Sequence, residues 1–153
     1  MTSLNYQKIY SKFFTKVTAY DFLELTNEQA NEFLCNWLHS AVRKPYIRRL
    51  FKSFTMDDEI QVIKYEMKYE IDNETDEEFI IEIFSLGMVL EWLDPKINSI
   101  LNISQMFGTK EQKFYAQSNH LSELQSLNST LYKKQRRMIV DRGYAWNSYI
   151  DGE

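Results

Sequence analysis

Three residues on one predicted helix carry side chains that bind metal ions. Glu32, Cys35 and His39 are separated by three and four positions, so they share one face of a helix. Carboxylate, thiolate and imidazole groups are the ligands that zinc prefers. A structural zinc site needs four ligands, however, and no second ligand pair is recognisable in the sequence. We therefore interpret Cys35 and His39 as packing residues beside a buried stripe, and we predict no metal site.

Two other groups with metal-binding side chains lack the spacing of a metal site. His120 and Glu123 lie one helical turn apart, but metal sites in helical bundles need several inward carboxylates from other helices. A calcium-binding loop starting at Asp72 would need glycine where Glu77 stands and glutamate where Ile83 stands. We interpret His120 as a residue of a polar helix face or an interface, and the acidic loop as a solvated turn.

The sequence contains no recognisable catalytic constellation. Asp57, Asp58 and Glu59 are consecutive carboxylates, a pattern more typical of an exposed turn than of paired acid–base catalysis. There is no P-loop, dinucleotide fingerprint, nucleophile elbow or HExxH motif. We therefore expect neither enzymatic activity nor a cofactor.

The composition favours one helical domain. The chain has 153 residues, of which 44% are hydrophobic, with only 4 Gly and 2 Pro. So few turn residues disfavour a sandwich or barrel of many short strands. The single cysteine, Cys35, rules out an internal disulfide. The most apolar run is too short to cross a bilayer, and a net charge of −4 argues weakly against general nucleic-acid binding.

Hydrophobic periodicity predicts several helices in the first third of the chain. Apolar residues recur at three- and four-residue steps over residues 5–18, which indicates an amphipathic helix. The sequence TNEQ at residues 26–29 has the form of a capping box for a helix that reaches about Val42. After Pro45, a further short helix is predicted from Ile47, Leu50, Phe51 and Phe54.

The period changes to two in residues 60–71. Apolar and charged residues alternate there, with Ile63, Tyr65, Met67, Tyr69 and Ile71 on one side. This pattern predicts a half-exposed strand, an extended arm or a hairpin. A strand needs a partner, which belongs either to this chain or to a neighbouring subunit; we expect residues 60–71 to lie against a second chain.

A central apolar helix is predicted next. TDEE at residues 75–78 has the form of a second capping box, and the helix continues to about Leu93. Gly87 allows a neighbouring element to approach closely, and Pro95 is expected to begin a separate short helix. We expect the centre of the core to consist of Phe79, Ile83, Phe84, Leu86, Leu90 and Leu93.

The last predicted helix follows a turn at Gly108. Residues 126–130 contain poor helix formers, so a bend is expected there. Gly143 is expected to end this helix, which gives a helical domain over residues 1–143 and an extended C-terminal tail over residues 144–153.

Two clusters of basic residues remain. The first contains Arg43, Lys44, Arg48, Arg49 and Lys52, and the second contains Lys133, Lys134, Arg136 and Arg137. They are either solvated helix faces or sites that contact acidic protein surfaces or DNA phosphates.

Several blocks of sequence resemble one family of proteins. WLHSAVRKPYIRRLF, GMVLEWLDPKI, QMFGTKEQKFYAQSNHLSEL and DRGYAWNSYIDG are similar to head–tail connector (adaptor, or neck) proteins of tailed bacteriophages, particularly those that infect Gram-positive hosts. The resemblance extends from about Tyr20 to Gly152. It is a resemblance of ordered blocks and not of a catalytic signature.

The resemblance implies a structural protein of the virion neck, synthesised in the host cytoplasm. Such adaptors form a ring, expected to be twelvefold, beneath the portal protein and extend the DNA channel. They offer a platform to the next neck or tail-completion protein, and genomic DNA passes through without sequence-specific binding. They typically reach the portal through a C-terminal segment.

The resemblance and the residue types together predict two interfaces. Docking onto the portal or a neighbouring subunit is assigned to Tyr144, Trp146, Asn147, Tyr149 and Ile150. The alternative is that this tail folds back onto the core of its own chain. Contacts between subunits are assigned to Tyr65, Met67, Tyr69, Gln117, Asn119 and His120. Phe114, Leu121 and Leu124 are expected to pack inward.

A different class of function remains open, namely a small helical regulator that binds nucleic acid through the two basic clusters. The acidic net charge and the lack of a helix-turn-helix glycine spacing make this the second choice.

Overall fold

The computed structural model describes residues 1–17, 26–106 and 111–144, with side chains described for residues 1–17, 26–98 and 121–143. In chain order, the elements are β1 (Thr2–Asn5), α1 (Tyr6–Lys16), α2 (Asn27–Val42), α3 (Pro45–Arg48), β2 (Phe51–Asp57), β3 (Val62–Met67), α4 (Asn73–Met106) and α5 (Glu111–Tyr144). The described part of the chain is therefore mostly helical, as predicted. None of its helices has an apolar stretch long enough to cross a lipid bilayer.

A small antiparallel sheet packs beside the helices. Its strand order is β1-β3-β2, with Leu4 and Met56 on either side of Ile63. The extended structure predicted within residues 60–71 is confirmed for Val62–Met67. Both partners of this strand belong to the same chain, so pairing with a second chain is not needed to complete the sheet.

The strand β2 corrects the predicted helix over residues 47–54. The helix α3 ends at Arg48, and Phe51 and Phe54 lie on a strand. A bulge between Phe51 and Ser53 places Phe51 opposite Met67 and Phe54 opposite Tyr65. The extra residue brings two aromatics three positions apart onto one face, with ring centroids 4.9 Å apart. Because of the bulge, Phe51 and Phe54 show the three-residue spacing typical of a helix although they lie on a strand.

Tyr65 and Met67 were assigned to contacts between subunits, and the structure places both in the chain's own core. Their exposed fractions are 3% and 4%, because the face that they share packs on Phe51 and the other core residues. Tyr69, beyond the end of β3, is 60% exposed.

Side-chain caps fix the starts of α2 and α4. The predicted capping box of α2 is confirmed, since Thr26 and Gln29 exchange hydrogen bonds of 3.2 Å between side chain and backbone. The cap of α4 lies earlier than predicted. The Asp72 carboxylate accepts hydrogen bonds from the Thr75 N–H at 2.8 Å and from the Thr75 hydroxyl at 2.9 Å, so Thr75 lies inside the helix.

Two predicted interruptions do not occur. The helix α4 continues through Pro95, where the lost backbone hydrogen bond is offset by the burial of Leu93 and Ile97 on either side. The helix α5 continues through residues 126–130. Poor helix formers cost only a few tenths of a kcal/mol each, and Leu124 and Leu131, which flank them, both pack on the core. Gly143, which was predicted to end this helix, lies within it, and the helix is described as far as Tyr144.

The middle of α4 forms the centre of the core, as predicted. Ile83, Phe84, Leu86 and Leu93 are at most 1% exposed, and Ile80, Met88 and Val89 are buried with them. Phe79 and Leu90 are only partly buried. A Cβ atom on Gly87 would lie 2.9 Å from the Cβ of Ala41, so glycine is what lets α2 approach α4 closely.

A buried ion pair joins the ends of α4 and α5. Arg142 donates to the Asp76 carboxylate, with side chains that are 8% and 6% exposed. Arg142 also donates to the Tyr69 carbonyl at 3.0 Å, and its guanidinium lies 4.6 Å from the centre of the Phe79 ring. Asp76 accepts a second donor, the Ile71 N–H, at 3.2 Å. We call this group the Arg142–Asp76 lock.

Candidate functional site

Part of the predicted interface lies outside the described residues. This holds for Trp146, Asn147, Tyr149 and Ile150 of the docking tail, and for the side chains of Phe114, Gln117, Asn119 and His120. Tyr144 is the last residue of α5 and not part of an extended segment. The structure describes Leu121 and Leu124 as partly buried against the core.

The structure brings the two basic clusters together. Tyr46 of α3 donates a hydrogen bond of 3.3 Å to Gln135 of α5. The guanidinium of Arg136 lies 4.6 Å from the centre of the Tyr46 ring and 5.0 Å from that of Tyr132. The two clusters therefore meet at Tyr46 and Arg136, and we call their combined residues the basic surface. Its members are Arg43, Lys44, Arg48, Arg49, Lys52, Lys133, Lys134, Arg136 and Arg137.

Some of the charged side chains of the basic surface pair with other residues of the chain, and others do not. Lys44 pairs with Glu91 at 3.3 Å and Lys134 with Glu82 at 3.7 Å, and Arg48 stacks on Phe54. Among the described residues, no ion pair is found for Arg43, Arg49, Lys133 or Arg137, all of which are exposed. These four carry the charge that is available to a partner.

A second candidate site is a cluster of polar side chains that the sequence did not predict. Cys35 and His39 lie one turn apart on α2, and Asp58 lies in the turn between β2 and β3. Their sulfur, nitrogen and oxygen atoms all lie within 4.8 Å of one another. His39 Nε2 is 2.8 Å from Asp58 Oδ1 and 3.0 Å from Oδ2, and Tyr6 donates a hydrogen bond of 2.6 Å to Oδ1. We call these four residues the polar cluster.

Local structure explains why Asp58 points toward α2. Asp57 accepts a hydrogen bond from the Glu59 N–H at 3.1 Å and so tightens the turn. Gln61 adopts a positive φ of 54°, and its carbonyl accepts the Tyr6 N–H at 2.9 Å. The turn is thereby attached to the start of α1, and Asp58 is held between α1 and α2.

The electrostatics of the polar cluster disfavour a reactive cysteine. Burial, followed by the negative charge of Asp58, raises the pKa of the Cys35 thiol, so the thiol form is favoured. The hydrogen bonds from Tyr6 and His39 lower the pKa of Asp58, which keeps it a carboxylate. A neutral thiol beside an anion is unsuited to nucleophilic catalysis, whereas the same three ligand types suit a cation.

A buried hydroxyl adjoins this cluster. Tyr10 is 2% exposed, and its hydroxyl makes no well-formed hydrogen bond in the described part of the chain, although the Cys35 thiol lies close enough for a weak one. Its pKa is raised, first by burial and then by Cys35 and Asp58 nearby. A buried polar group without a well-formed hydrogen bond is destabilising and calls for an explanation.

Sequence reasoning noticed two members of this cluster, Cys35 and His39, but interpreted them as packing residues. The spacing of Cys35 and His39 was the signal, but Glu32, the third residue on that helix face, is exposed and takes no part. Asp58 is 19 positions from His39, and only the packing of the β2–β3 turn against α2 brings them together.

Comparison of the chain with known proteins and structures identified no relative. No protein-family model, no curated protein and no solved structure matches the chain.

Proposed function

We propose that the chain is a head–tail connector protein of a tailed bacteriophage, which forms a ring beneath the portal and joins the capsid to the tail. The ordered blocks of sequence that resemble such adaptors support this proposal. The structural observation that carries it is the helical hairpin of α4 and α5. Each helix has 34 residues, which corresponds to about 50 Å at 1.5 Å per residue.

Two contacts set the direction of this hairpin. Gln135 bonds to the Ile83 carbonyl and Arg142 to Asp76, so the helices run antiparallel. An antiparallel pair of helices about 50 Å long offers an extended surface for neighbouring copies in a ring.

The distribution of charge also favours a ring. Residues 70–78 contain six carboxylates and no basic residue. Asp76 is buried in the Arg142–Asp76 lock and Glu77 pairs with Lys8. The exposed acidic patch therefore consists of Glu70, Asp72, Glu74 and Glu78, while the basic surface presents Arg43, Arg49, Lys133 and Arg137. Rings are built by heterologous contacts, in which two different patches of the same chain meet. An acidic patch on one copy and a basic patch on the next complement each other in such a contact.

The tail is proposed to reach the portal. Tyr144, Trp146 and Tyr149 supply large aromatic contact areas, and Asn147 supplies hydrogen-bonding groups, a combination common in docking segments. DNA passing through the ring is expected to contact it without sequence preference.

Assembly with a portal protein tests the proposal. The purified chain is mixed with the portal protein encoded beside it, and the products are examined by size-exclusion chromatography with light scattering and by negative-stain electron microscopy. We expect a ring on the portal. A chain lacking residues 145–153 should keep its melting temperature and lose portal binding.

A matched pair of variants separates the aromatic anchors from general effects of the tail. Trp146→Ala with Tyr149→Ala should abolish portal binding, whereas Asp151→Asn with Glu153→Gln should leave it intact. A chain without residues 145–153 that still assembles normally, or that unfolds, contradicts the docking role of the tail.

The second candidate function, a regulator that binds nucleic acid, is favoured by the joining of the two basic clusters into one surface. Fluorescence anisotropy with duplex DNA over a series of salt concentrations distinguishes the candidates. Sequence-dependent binding at physiological salt, lost when Arg43, Arg49, Lys133 and Arg137 are changed to Gln, would favour the regulator over the adaptor.

A further inference from the structure

We propose that Cys35, His39 and Asp58 form a binding site for a divalent metal ion of the zinc type. The three residues offer a thiolate, an imidazole nitrogen and a carboxylate, which are the ligand types found in zinc sites. Their ligand atoms already lie within 4.8 Å of one another. This site is independent of the proposed function.

The distances fit a tetrahedral ion after a small adjustment. Bonds of about 2.0–2.1 Å to nitrogen and oxygen place two such ligands about 3.3 Å apart in a tetrahedron. His39 Nε2 and the Asp58 oxygens are 2.8 and 3.0 Å apart. Separating them by a few tenths of an ångström, with the neutral imidazole carrying its proton on Nδ1 so that Nε2 is free, replaces their hydrogen bond with two bonds to the ion. The Asp58 side chain is 53% exposed, so it can move, and water can reach the ion as the fourth ligand.

Tyr6 is placed to orient one of the ligands. It donates to Asp58 Oδ1 at 2.6 Å, and a hydrogen-bonded carboxylate is the usual arrangement around a metal ligand. Because Tyr6 is fully buried, it fixes Oδ1 from the protein side, while both carboxylate oxygens lie within 3.0 Å of His39 Nε2.

Tyr10 is a second, independent observation that points to a ligand. Its hydroxyl is buried without a well-formed hydrogen bond in the described part of the chain. Burial and then the neighbouring Cys35 raise its pKa, and the Cys35 thiol is a weak acceptor beside it. When a metal ion binds, the Cys35 proton is released to solvent and the sulfur becomes a thiolate. A thiolate accepts hydrogen bonds far better than a thiol, so the Tyr10 hydroxyl gains a better acceptor in the metal-bound state.

Metal binding at this position would join three parts of the fold. Cys35 and His39 belong to α2, Asp58 to the β2–β3 turn, and Tyr6 to the start of α1. An ion that binds only the folded arrangement stabilises it in proportion to the logarithm of its concentration over Kd. The site would therefore act as a clamp between α2 and the sheet.

Cobalt substitution tests the site directly. The full chain, without an affinity tag, is treated with a chelator, kept reduced and titrated with Co²⁺. We expect one equivalent to bind, with the visible bands of tetrahedral Co²⁺ and a near-ultraviolet thiolate-to-cobalt band. Zn²⁺ should displace the cobalt and remove both signals.

Variants assign the ligands. Cys35→Ser should remove the thiolate-to-cobalt band. His39→Gln and Asp58→Asn should each weaken binding at least about 100-fold, more than the loss of an outer hydrogen bond, for which about 10–100-fold is typical. Glu32→Gln and Glu59→Gln are matched controls, because they remove neighbouring exposed carboxylates, and they should bind like the unmodified chain.

Circular dichroism of every variant without metal verifies that it folds, and the shift of the melting temperature on adding Zn²⁺ is a second measurement. Failure of the unmodified chain to take up Co²⁺ at micromolar concentrations would overturn the proposal. Uptake that persists in Asp58→Asn, or that is lost in Glu32→Gln, would overturn the assignment of the three ligands.

Discussion

The Arg142–Asp76 lock and the polar cluster are both groups of charged or polar side chains, and they differ in how fully each member is satisfied. In the lock, Arg142 and Asp76 are 8% and 6% exposed, and both have further hydrogen-bond partners in the backbone. In the polar cluster, the His39 and Asp58 side chains are 27% and 53% exposed, and the adjoining Tyr10 hydroxyl makes no well-formed hydrogen bond among the described residues.

This difference separates a structural role from a binding role. The donors and acceptors of the lock satisfy one another within the chain, and water is excluded, so the lock has little capacity for a ligand. The polar cluster keeps a carboxylate oxygen and a thiol near solvent, together with a buried hydroxyl that lacks a good acceptor. Buried pairs are strongly coupled to folding, whereas partly exposed groups contribute less to stability and remain available for binding.

The largest effect is expected for the lock. Arg142→Ala should lower the free energy of unfolding by about 3–5 kcal/mol, because it leaves the Asp76 charge buried without its partner. Arg137→Ala, on the exposed side of the same helix, is the control and should change it by less than about 0.5 kcal/mol. Urea denaturation measures both. A loss below about 1 kcal/mol for Arg142→Ala would remove the distinction drawn between the lock and the polar cluster.

A smaller effect is expected for the buried hydroxyl of Tyr6, the member of the polar cluster that belongs to α1. Without metal, Tyr6→Phe should cost about 1–2 kcal/mol, because the ring stays buried while the hydrogen bond to Asp58 is lost. Tyr10→Phe removes a hydroxyl that makes no well-formed hydrogen bond in the described structure, so it should be neutral or slightly stabilising. Equal losses for the two variants would show that the hydrogen bond to Asp58 contributes nothing specific.

The Glu82 side chain is 18% exposed, a value between those of the lock and the polar cluster. Its contribution to stability can be tested by varying the pH. Its burial acts to raise its pKa, but Lys16, Lys12 and Lys134 around it outweigh this and hold the pKa below its ordinary value of 4.5. A lowered pKa in the folded state stabilises the protein above the ordinary pKa, and this stabilisation is lost as the pH falls through the folded value.

Glu82→Gln should therefore cost about 1 kcal/mol at neutral pH. The difference from the unmodified chain should disappear in strong acid, when both side chains are neutral. Glu78→Gln, which replaces an exposed carboxylate on the same helix, should show no such dependence. Urea denaturation over a pH series measures both variants. If the two behaved alike, the stabilising role of the lysines around Glu82 would be contradicted.

The smallest effect is expected for Asp58→Asn in the absence of metal. The loss should be at most about 0.5 kcal/mol, because the side chain is 53% exposed and asparagine keeps an acceptor for Tyr6. Adding Zn²⁺ should raise the melting temperature of the unmodified chain and should leave that of this variant unchanged. A large loss without metal would place the polar cluster with the lock as a structural group.

The sequence alone determined the features that depend on neighbouring residues. The period of two predicted the strand at Val62–Met67, and TNEQ predicted the capping box of α2, because both signals arise from local geometry. The absence of a polar face on α4 predicted its central place, and Gly87 was correctly interpreted as a point of close approach. The predicted ring, portal docking and tail contacts stay predictions.

Only the tertiary structure decided the features that depend on distant residues. The β-bulge of β2 requires its partner strand, and the continuation of α4 through Pro95 requires the core on both sides. Local propensities cannot predict these outcomes. They amount to a few tenths of a kcal/mol for most residues and about 3 kcal/mol for proline inside a helix, whereas each large apolar side chain that is buried contributes about 1.5–3 kcal/mol and several are buried together. The polar cluster shows the same limit. Cys35 and His39 were visible on one helix, but Asp58 joins them only because the β2–β3 turn packs against α2.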